Sequence, residues 1–269
     1  MIRAAVIGDP VEHSLSPRLM ARWFQDAGIE GHYRKVQAPS ERFAEKVHRL
    51  RSEGYAGVNV TIPHKEAALA LADRKTEAAA LIGAANLLTF GKDGITADNT
   101  DHVGFARALE RAGGKLSGGR AVVLGAGGAA GAIIHALHGY EAVRVVNRTF
   151  SRAEALAARF PNAEAGAWDE RDEAAAGADL LVNTTSLGMK GQPPLTIDLS
   201  GLPNHAVVAD IVYVPLYTPL LCAARARGLG VAHGLAMLVH QAVPSFEAFT
   251  GQRPPHPETI LSEIEAEAA

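Results

Sequence analysis

The chain of 269 residues has a single cysteine, Cys222. No intrachain disulfide can form, which suits a reducing compartment and points to a cytoplasmic protein. Cys222 stands in Leu220-Leu221-Cys222-Ala223-Ala224, where it reads as a small buried core residue. No apolar run approaches the ~18 residues of a membrane span. The first run, residues 4–7, halts at Gly8-Asp9-Pro10 and is too short for the apolar part of a secretory leader. Long runs of one charge are also missing, and the formal net charge is −3, which argues against a nucleic-acid-binding face. The eleven histidines are scattered without metal-ligand spacing. His135 and His138, three apart on an expected helix, read as surface, so no metal is expected. With 48% hydrophobic and 20% charged residues, the composition is that of a soluble globular protein of one or two domains. A chain this long buries enough surface to fold without staples.

What the sequence does have is a glycine turn at the end of an apolar strand. Residues 121–131 read AVVLGAGGAAG, followed by Ile133, Ile134 and Leu137 at helical spacing. Gly125-x-Gly127-x-x-Ala130 fits the dinucleotide-binding fingerprint. Gly125 allows the sharp turn, Gly127 lets the backbone approach a pyrophosphate, and Ala130 keeps helix and strand close. Free N–H groups at the helix start favour an anion. Taken alone, the motif fits a plain strand–helix corner equally well. The next expected strand, residues 142–146, ends in Asn147-Arg148-Thr149, with Arg152 close behind. An NAD site places a carboxylate here; an NADP site places an arginine near the 2′-phosphate. Arg148, Thr149 and Arg152 therefore select NADP(H) as the cofactor. A further strand, 180–183, ends in Asn183-Thr184-Thr185-Ser186, small polar groups where the middle of the cofactor would lie.

Upstream, Ser16 reads as the N-cap of a helix with Pro17 at its first position. Leu19, Met20, Trp23, Phe24 and Ala27 form its apolar face, and Gly28 closes it. Ser40 reads as the cap of a second helix carrying Phe43, Val47 and Leu50. Val58, Val60 and Ile62 alternate with Asn59 and Thr61 in a strand stopped by Pro63. Residues 75–82 read as helix. Residues 85–90 and 95–97 form a hairpin across Lys92-Asp93-Gly94. Asn99 or Thr100 caps a helix from Asp101. Strands then alternate with helices through residue 226, and two helices, 235–249 and 257–266, end the chain. This pattern implies an α/β fold with a parallel doubly wound sheet and a change of domain near residues 101–118.

Reducing a carbonyl by hydride transfer requires a proton donor at the developing alkoxide. Lys65 and Asp101 are the best pair: an ammonium that can give the proton and a carboxylate that can hold it in place. Each also has an ordinary reading, Lys65 near a solvated strand edge and Asp101 as a partner for a helix dipole.

Together these segments resemble the shikimate dehydrogenase family over nearly the whole chain. The carrying motifs are Ser14-Leu15-Ser16-Pro17, Asn59-Val60-Thr61-Ile62-Pro63-His64-Lys65, Asp98-Asn99-Thr100-Asp101 and Gly125-Ala126-Gly127-Gly128-Ala129. To these add Asn147-Arg148-Thr149, Asn183 to Met189, Tyr213 to Leu221 and Gly234 to Ala242. The resemblance implies NADPH-dependent reduction of 3-dehydroshikimate to shikimate, a step of aromatic amino-acid biosynthesis. It implies a substrate domain of residues 1–101 completed by helices of 236–269. A Rossmann-type NADP-binding domain, 102–235, is inserted, with a cleft between the two. By analogy Ser14 and Ser16 hold the substrate carboxylate. Asn59, Thr61, Asn86, Asp101 and Gln241 bind ring hydroxyls, and Tyr213 lies beside the substrate. Lys65 and Asp101 form the catalytic pair. Gly125, Ala126, Gly127, Gly128 and Ala129, with Asn147, Arg148, Thr149, Arg152, Thr184 and Ser186, hold the cofactor. Gly234 and Met237 approach its nicotinamide end. The expected partner is the small-molecule substrate, with no nucleic acid or membrane, and the chain acts as a monomer or homodimer.

The sequence departs from the family pattern in places. Met20-Ala21 stands where His-Asn is frequent, Leu87 replaces a threonine beside Asn86, and Ala97 stands where glycine is frequent. Leu87 removes a hydroxyl that would support Asn86. These changes leave open a quinate/shikimate dehydrogenase of broader specificity. A non-catalytic NADP-binding regulator is the alternative from another class; a sensor has no need of Lys65 as a proton donor.

Overall fold

Strand β1 (Ile2–Gly8) is buried from Ala4 to Gly8, as a strand inside a sheet covered on both faces must be. It lies in the first of two compact units of the computed structural model, which describes residues 1–268. This unit comprises Met1–Asp101 and Gln241–Ile260. After β1 come α1 (Ser16–Asp26), β2 (Gly31–Gln37), α2 (Phe43–Ser52), β3 (Gly57–Val60) and α3 (Lys65–Leu71). Then follow β4 (Arg74–Lys75), α4 (Glu77–Ile82), β5 (Leu87–Gly91) and β6 (Gly94–Asp98). The sheet order is β2-β1-β3-β5-β6-β4. β5 runs antiparallel to both neighbours, and the other adjacent pairs are parallel. Phe43, Val47 and Leu50 of α2 pack with Ile7, Val58, Val60, Leu88 and Ile95. Trp23 and Phe24 of α1 meet Phe246 of the returning segment, at ring distances of 5.8 and 5.3 Å.

Two helix starts differ from the sequence reading. Leu15 already has helical dihedrals, so Ser16 is the first residue of α1, not its cap, and Pro17 is the second. The hydroxyl that accepts from the Ser16 N–H belongs to Ser14, at 3.3 Å. Ser40 likewise begins a 3₁₀ turn that runs into α2 and makes no side-chain cap. Thr76 caps α4 instead: its Oγ1 accepts from the Ala79 N–H at 3.2 Å and donates to Asp98 at 2.6 Å.

The second unit comprises His102–His240 and the residues from Leu261 on. Its elements start with α5 (Asp101–Arg111), β7 (Ser117–Leu124), α6 (Ala130–Ala136), β8 (Gly139–Asn147) and α7 (Phe150–Ala157). They continue with β9 (Ala163–Ala167), α8 (Arg171–Ala175), β10 (Leu180–Asn183), β11 (Val207–Asp210), α9 (Pro219–Ala226) and β12 (Gly230–His233). The last helices of the chain are α10 (Gly234–Thr250), whose residues up to His240 belong to this unit, and α11 (Pro257–Ala268), which belongs to it from Leu261 on. All adjacent strands are parallel, in the order β9-β8-β7-β10-β11-β12. That is the doubly wound dinucleotide-binding order, with its reversal between β7 and β10.

The sequence reading assigned all of 236–269 to the first unit. The contacts instead group residues up to His240, and those from Leu261 on, with the second. Leu261 and Ile264 are buried there, and Glu265 receives both Arg111 guanidinium nitrogens at 2.7 and 2.9 Å. The edge strands β9 and β12 were not expected; AEAGA and GVAH carry too few apolar residues to announce a strand. The crossover from β10 to β11, residues 184–206, has no helix; Leu195, Leu199 and Leu202 pack with Leu181 and Val208 in its place. Cys222 is exposed, contrary to the sequence reading, because α9 turns Leu220, Leu221 and Ala224 inward.

Candidate active site

Lys65 is the first residue of α3, just past the turn that ends β3. That turn is tied down at several points. The Thr61 N–H donates to the Ile7 carbonyl at 2.9 Å, and the His64 N–H to the Thr61 carbonyl at 3.0 Å. The buried His64 ring stacks on Phe43 with centroids 4.6 Å apart, and its Nε2 donates to the Ala38 carbonyl at 2.6 Å. A carbonyl only accepts, so the Nε2 proton is fixed. Asp101 is the first residue of α5, and its own N–H donates to Asn99 Oδ1 at 3.0 Å, so Asn99 shapes this helix start. Lys65 Nζ lies 2.5 Å from Asp101 Oδ2, with the side chains 13% and 6% exposed. A pair this dry interacts far more strongly than one in bulk water.

Behind the pair stands a polar core. Asn86 Nδ2 lies 2.9 Å from Asp101 Oδ1, 2.9 Å from Thr100 Oγ1 and 3.1 Å from Gln241 Oε1. Asn86 Oδ1 accepts from the Thr100 N–H at 2.7 Å. Each Asp101 oxygen thus has a donor, one from Lys65 and one from Asn86. Lys65, Asn86, Asp101 and Gln241 form one connected network, all expected from the sequence. Thr100, expected only as a cap, is part of it.

The remaining proposed substrate residues divide into two kinds. Ser14, Ser16 and Thr61 have hydroxyl protons with no protein acceptor among the described residues, so they are open to a ligand. Among the described residues, no hydrogen bond joins either serine to the Lys65–Asp101 network. Asn59 is the opposite case. It is 7% exposed, and its amide is engaged by Tyr33 at 2.8 Å, Ser245 at 2.8 Å and the Asn86 carbonyl at 3.3 Å. Both amide protons of Asn59 are thus used within the protein, and its carbonyl oxygen, which can accept twice, accepts once, from Tyr33. Sequence spacing could not reveal this, because Tyr33 and Ser245 lie 26 and 186 positions away. Met20 and Leu87, the departures noted above, are both buried in apolar core.

In the second unit, Gly125 follows β7 and Thr184 follows β10, the two strands flanking the reversal. Gly125 has φ +108°, and a Cβ there would lie 2.6 Å from Thr184 Oγ1. Thr184 Oγ1 itself donates to the Leu124 carbonyl at 2.8 Å. A Cβ on Gly127 would meet nothing within 4 Å. The fold therefore does not need glycine at 127, while a ligand lying against the backbone would. Ala126, Gly128 and Ala129 are part-buried in the same turn, before α6. Asn147 ends β8 and donates to the Thr149 carbonyl at 2.9 Å. The side chains of Arg148 and Arg152 are exposed and have no partner among the described residues. Ser186 is exposed too. A turn open above Gly127 and two unpaired guanidiniums beside the next strand end fit a dinucleotide with an extra phosphate.

One group in this unit was missed. Asp210, at the end of β11, is 2% exposed. It accepts from Thr218 Oγ1 at 2.7 Å, the Val212 N–H at 3.0 Å and Asn183 Nδ2 at 3.1 Å. Burial pushes its carboxyl up to about 6, against the pull of those three donors. Asn183 in turn accepts from the Thr185 N–H and hydroxyl. This network braces the loops after β10 and β11. A buried acid at a strand end beside Tyr213 was the available signal. Tyr213 is part-buried, which raises its phenol, and its hydroxyl has no protein partner among the described residues. Gly234 has a structural reason of its own: a Cβ there would lie 2.2 Å from the Ile211 carbonyl oxygen. Met237 is 8% exposed on α10. Among the described residues, no group of three or more His, Cys, Asp or Glu side chains could hold a metal, and no helix is long and apolar enough to cross a membrane.

Comparison with known proteins adds family models for three parts of the chain. Residues 6–88 match a shikimate dehydrogenase substrate binding domain, 107–190 a shikimate / quinate 5-dehydrogenase, and 234–261 a shikimate 5′-dehydrogenase C-terminal domain. A shikimate dehydrogenase (NADP(+)) from Methylobacterium radiotolerans is 52% identical, covering 99% of this chain and 98% of that one. A crystal structure of shikimate 5-dehydrogenase from Thermus thermophilus, in complex with NADP(H) and shikimate, is 39% identical with a TM-score of 0.89 and full coverage of both chains (100% and 100%). Quinate dehydrogenase from Corynebacterium glutamicum in complex with NAD is 31% identical, with a TM-score of 0.89 over 98% of this chain and 99% of that one.

Proposed function

The chain belongs to the shikimate dehydrogenase family, and from that premise we propose how its own residues carry the reaction. It is an NADP-dependent oxidoreductase that reversibly reduces 3-dehydroshikimate to shikimate. NADPH, when bound, supplies the hydride. Lys65 Nζ gives the proton to the carbonyl oxygen as that oxygen becomes a hydroxyl. Asp101 orients the ammonium and accepts a ring hydroxyl, while Asn86 fixes Asp101 from behind. Ser14 and Ser16 donate to the substrate carboxylate and Thr61 to a ring oxygen. Gln241 completes the ring contacts through the Asn86–Thr100 network, and Tyr213 shapes the pocket. Gly125 to Ala129, Asn147, Thr149, Thr184 and Ser186 hold the cofactor. Arg148 and Arg152 hold its 2′-phosphate, and Gly234 and Met237 shape its nicotinamide end.

One observation carries this reading: an ammonium and a carboxylate 2.5 Å apart, nearly dry, with the carboxylate's second oxygen held by Asn86. It supports a proton donor poised at the end of a sheet. The test is an absorbance assay at the nicotinamide band, with shikimate or quinate and with NADP or NAD. Shikimate with NADP is expected to turn over fastest. The Lys65→Ala variant is expected to lose about 10²-fold or more in kcat with a smaller change in KM. Near-normal turnover by that variant would remove Lys65 from the proton step. We further place the enzyme in the cytoplasm, working as a monomer or homodimer; the single cysteine supports the reducing compartment.

A further inference from the structure

Asn59 sits on β3, the inner strand between β1 and β5, opposite Val6 on one side and Leu87 on the other. Its hydrogen bonds have a fixed direction. The Asn86 main-chain carbonyl can only accept, so the amide edge facing it is Nδ2. Asn59 Oδ1 then faces Tyr33, whose hydroxyl donates to it. The second Nδ2 proton goes to Ser245 Oγ, and the Ser245 proton goes on to the Gln241 carbonyl at 3.4 Å. The result is a one-way chain of donors, Tyr33 to Asn59 to Ser245 to Gln241. A branch runs from Asn59 to Asn86. Tyr33 and Asn59 are 7% exposed and Ser245 0%.

The branch matters because the Asn86 carbonyl also receives the Val60 N–H at 2.8 Å. Two donors from adjacent residues of β3 pin the main chain of Asn86, and the side chain of Asn86 holds Asp101 against Lys65. Leu87, directly across from Asn59, supplies no hydroxyl at this point. We infer that Tyr33, Asn59 and Ser245 are positioning residues for the reaction: they fix Asn86, and through it the Lys65–Asp101 pair, in the role the sequence assigned to a hydroxyl at 87. This rests on Lys65 and Asp101 being the proton-transfer pair.

The test uses the full-length enzyme with Ser245→Ala, Tyr33→Phe and, as a control, Val47→Ala. Val47 is fully buried in the apolar cluster of α2, and its side chain takes no part in this hydrogen-bond chain. All three are expected to lower Tm by a few degrees. Ser245→Ala and Tyr33→Phe are expected to lower kcat for shikimate oxidation about tenfold at 25 °C, with KM for NADP unchanged, because a small displacement of catalytic groups costs rate more than binding. Ser245→Thr, which keeps the hydroxyl, is expected to recover most of the loss. Val47→Ala is expected to keep its kcat. Wild-type kcat in both Ser245→Ala and Tyr33→Phe, or an equal loss of kcat in Val47→Ala, would overturn the positioning role. If one of the two variants fails to fold, the other decides. Lys65→Ala separates this from the underlying reading: if it keeps normal turnover, the pair itself is misassigned, whatever Ser245→Ala does.

Discussion

Asp210 is a carboxyl group kept in a place that disfavours its charge. Three donors favour the ionised form, yet burial outweighs them and lifts its pKa from 3.8 to about 6. The folded state therefore holds a proton more readily than the unfolded chain between those values. The contribution is full below about 3.8 and is lost as pH rises through about 6. Asp210→Asn has no such proton, and its oxygen can still accept from Val212 and Asn183. Relative to the wild type, the variant is expected to gain roughly 2 kcal/mol in stability between pH 4 and pH 7. Urea unfolding at both pH values measures this; a stability difference that does not change with pH would show that burial does not lift Asp210. At the same scale, Arg148 has no partner among the described residues, so its removal leaves nothing buried and unpaired. Arg148→Ala is expected to raise Kd for NADPH by about tenfold or more, the worth of one charge-assisted pair, with little effect on NADH. A fluorescence titration with equal losses for both would assign the 2′-phosphate to another residue.

The turn between β7 and α6 sets two glycines against each other. Gly125 is required by the chain itself, with φ +108° and Thr184 Oγ1 2.6 Å from its missing Cβ. Gly127 has open space around it. Gly125→Ala is expected to cost roughly 1–3 kcal/mol in strain and to lower Tm without any ligand. Gly127→Ala is expected to leave that Tm unchanged and yet to bind NADP weakly. A thermal scan of each variant with and without NADP separates the two; a Gly127→Ala protein stabilised by NADP as much as the wild type would mean the dinucleotide does not lie against 127. Elements of this kind were legible in the sequence, because Val122-Val123-Leu124 and the glycine turn are contiguous. β9 and β12 were not, since a short edge strand needs little apolar pattern. The caps of α1 and α2 failed for a related reason. Serine before a helix is a frequent cap, but here Leu15 enters the helical region first and the 3₁₀ turn at Ser40 absorbs the other.

At the scale of the whole chain, the local signals run out and long-range ones take over. Lys65 and Asp101 could be paired on paper because each ends a recognisable motif. The orientation of Asn59 could not, because it depends on a serine 186 positions later. The first unit is made of two separated stretches, with 102–240 between them. Its later stretch contributes Gln241 and Ser245 to the polar network, Phe246 against Trp23 and Phe24, and Phe249 at 6.5 Å from Tyr33. Residues 1–101 alone would keep all six strands of their sheet. They would, however, expose Trp23 and Phe24, leave Asn59 without Ser245, and leave Asn86 without Gln241. Losing an aromatic of the size of Phe246 alone costs about 3–5 kcal/mol, a large share of the 5–15 kcal/mol that holds a domain together. A 1–101 fragment is therefore expected to lack a cooperative thermal transition and near-ultraviolet circular dichroism from Trp23. Adding a separate 241–260 peptide in large excess is expected to restore part of that signal. A 1–101 fragment that melts cooperatively by itself would show that the first stretch carries a sufficient core, and that the returning segment serves the active site without being needed for the fold.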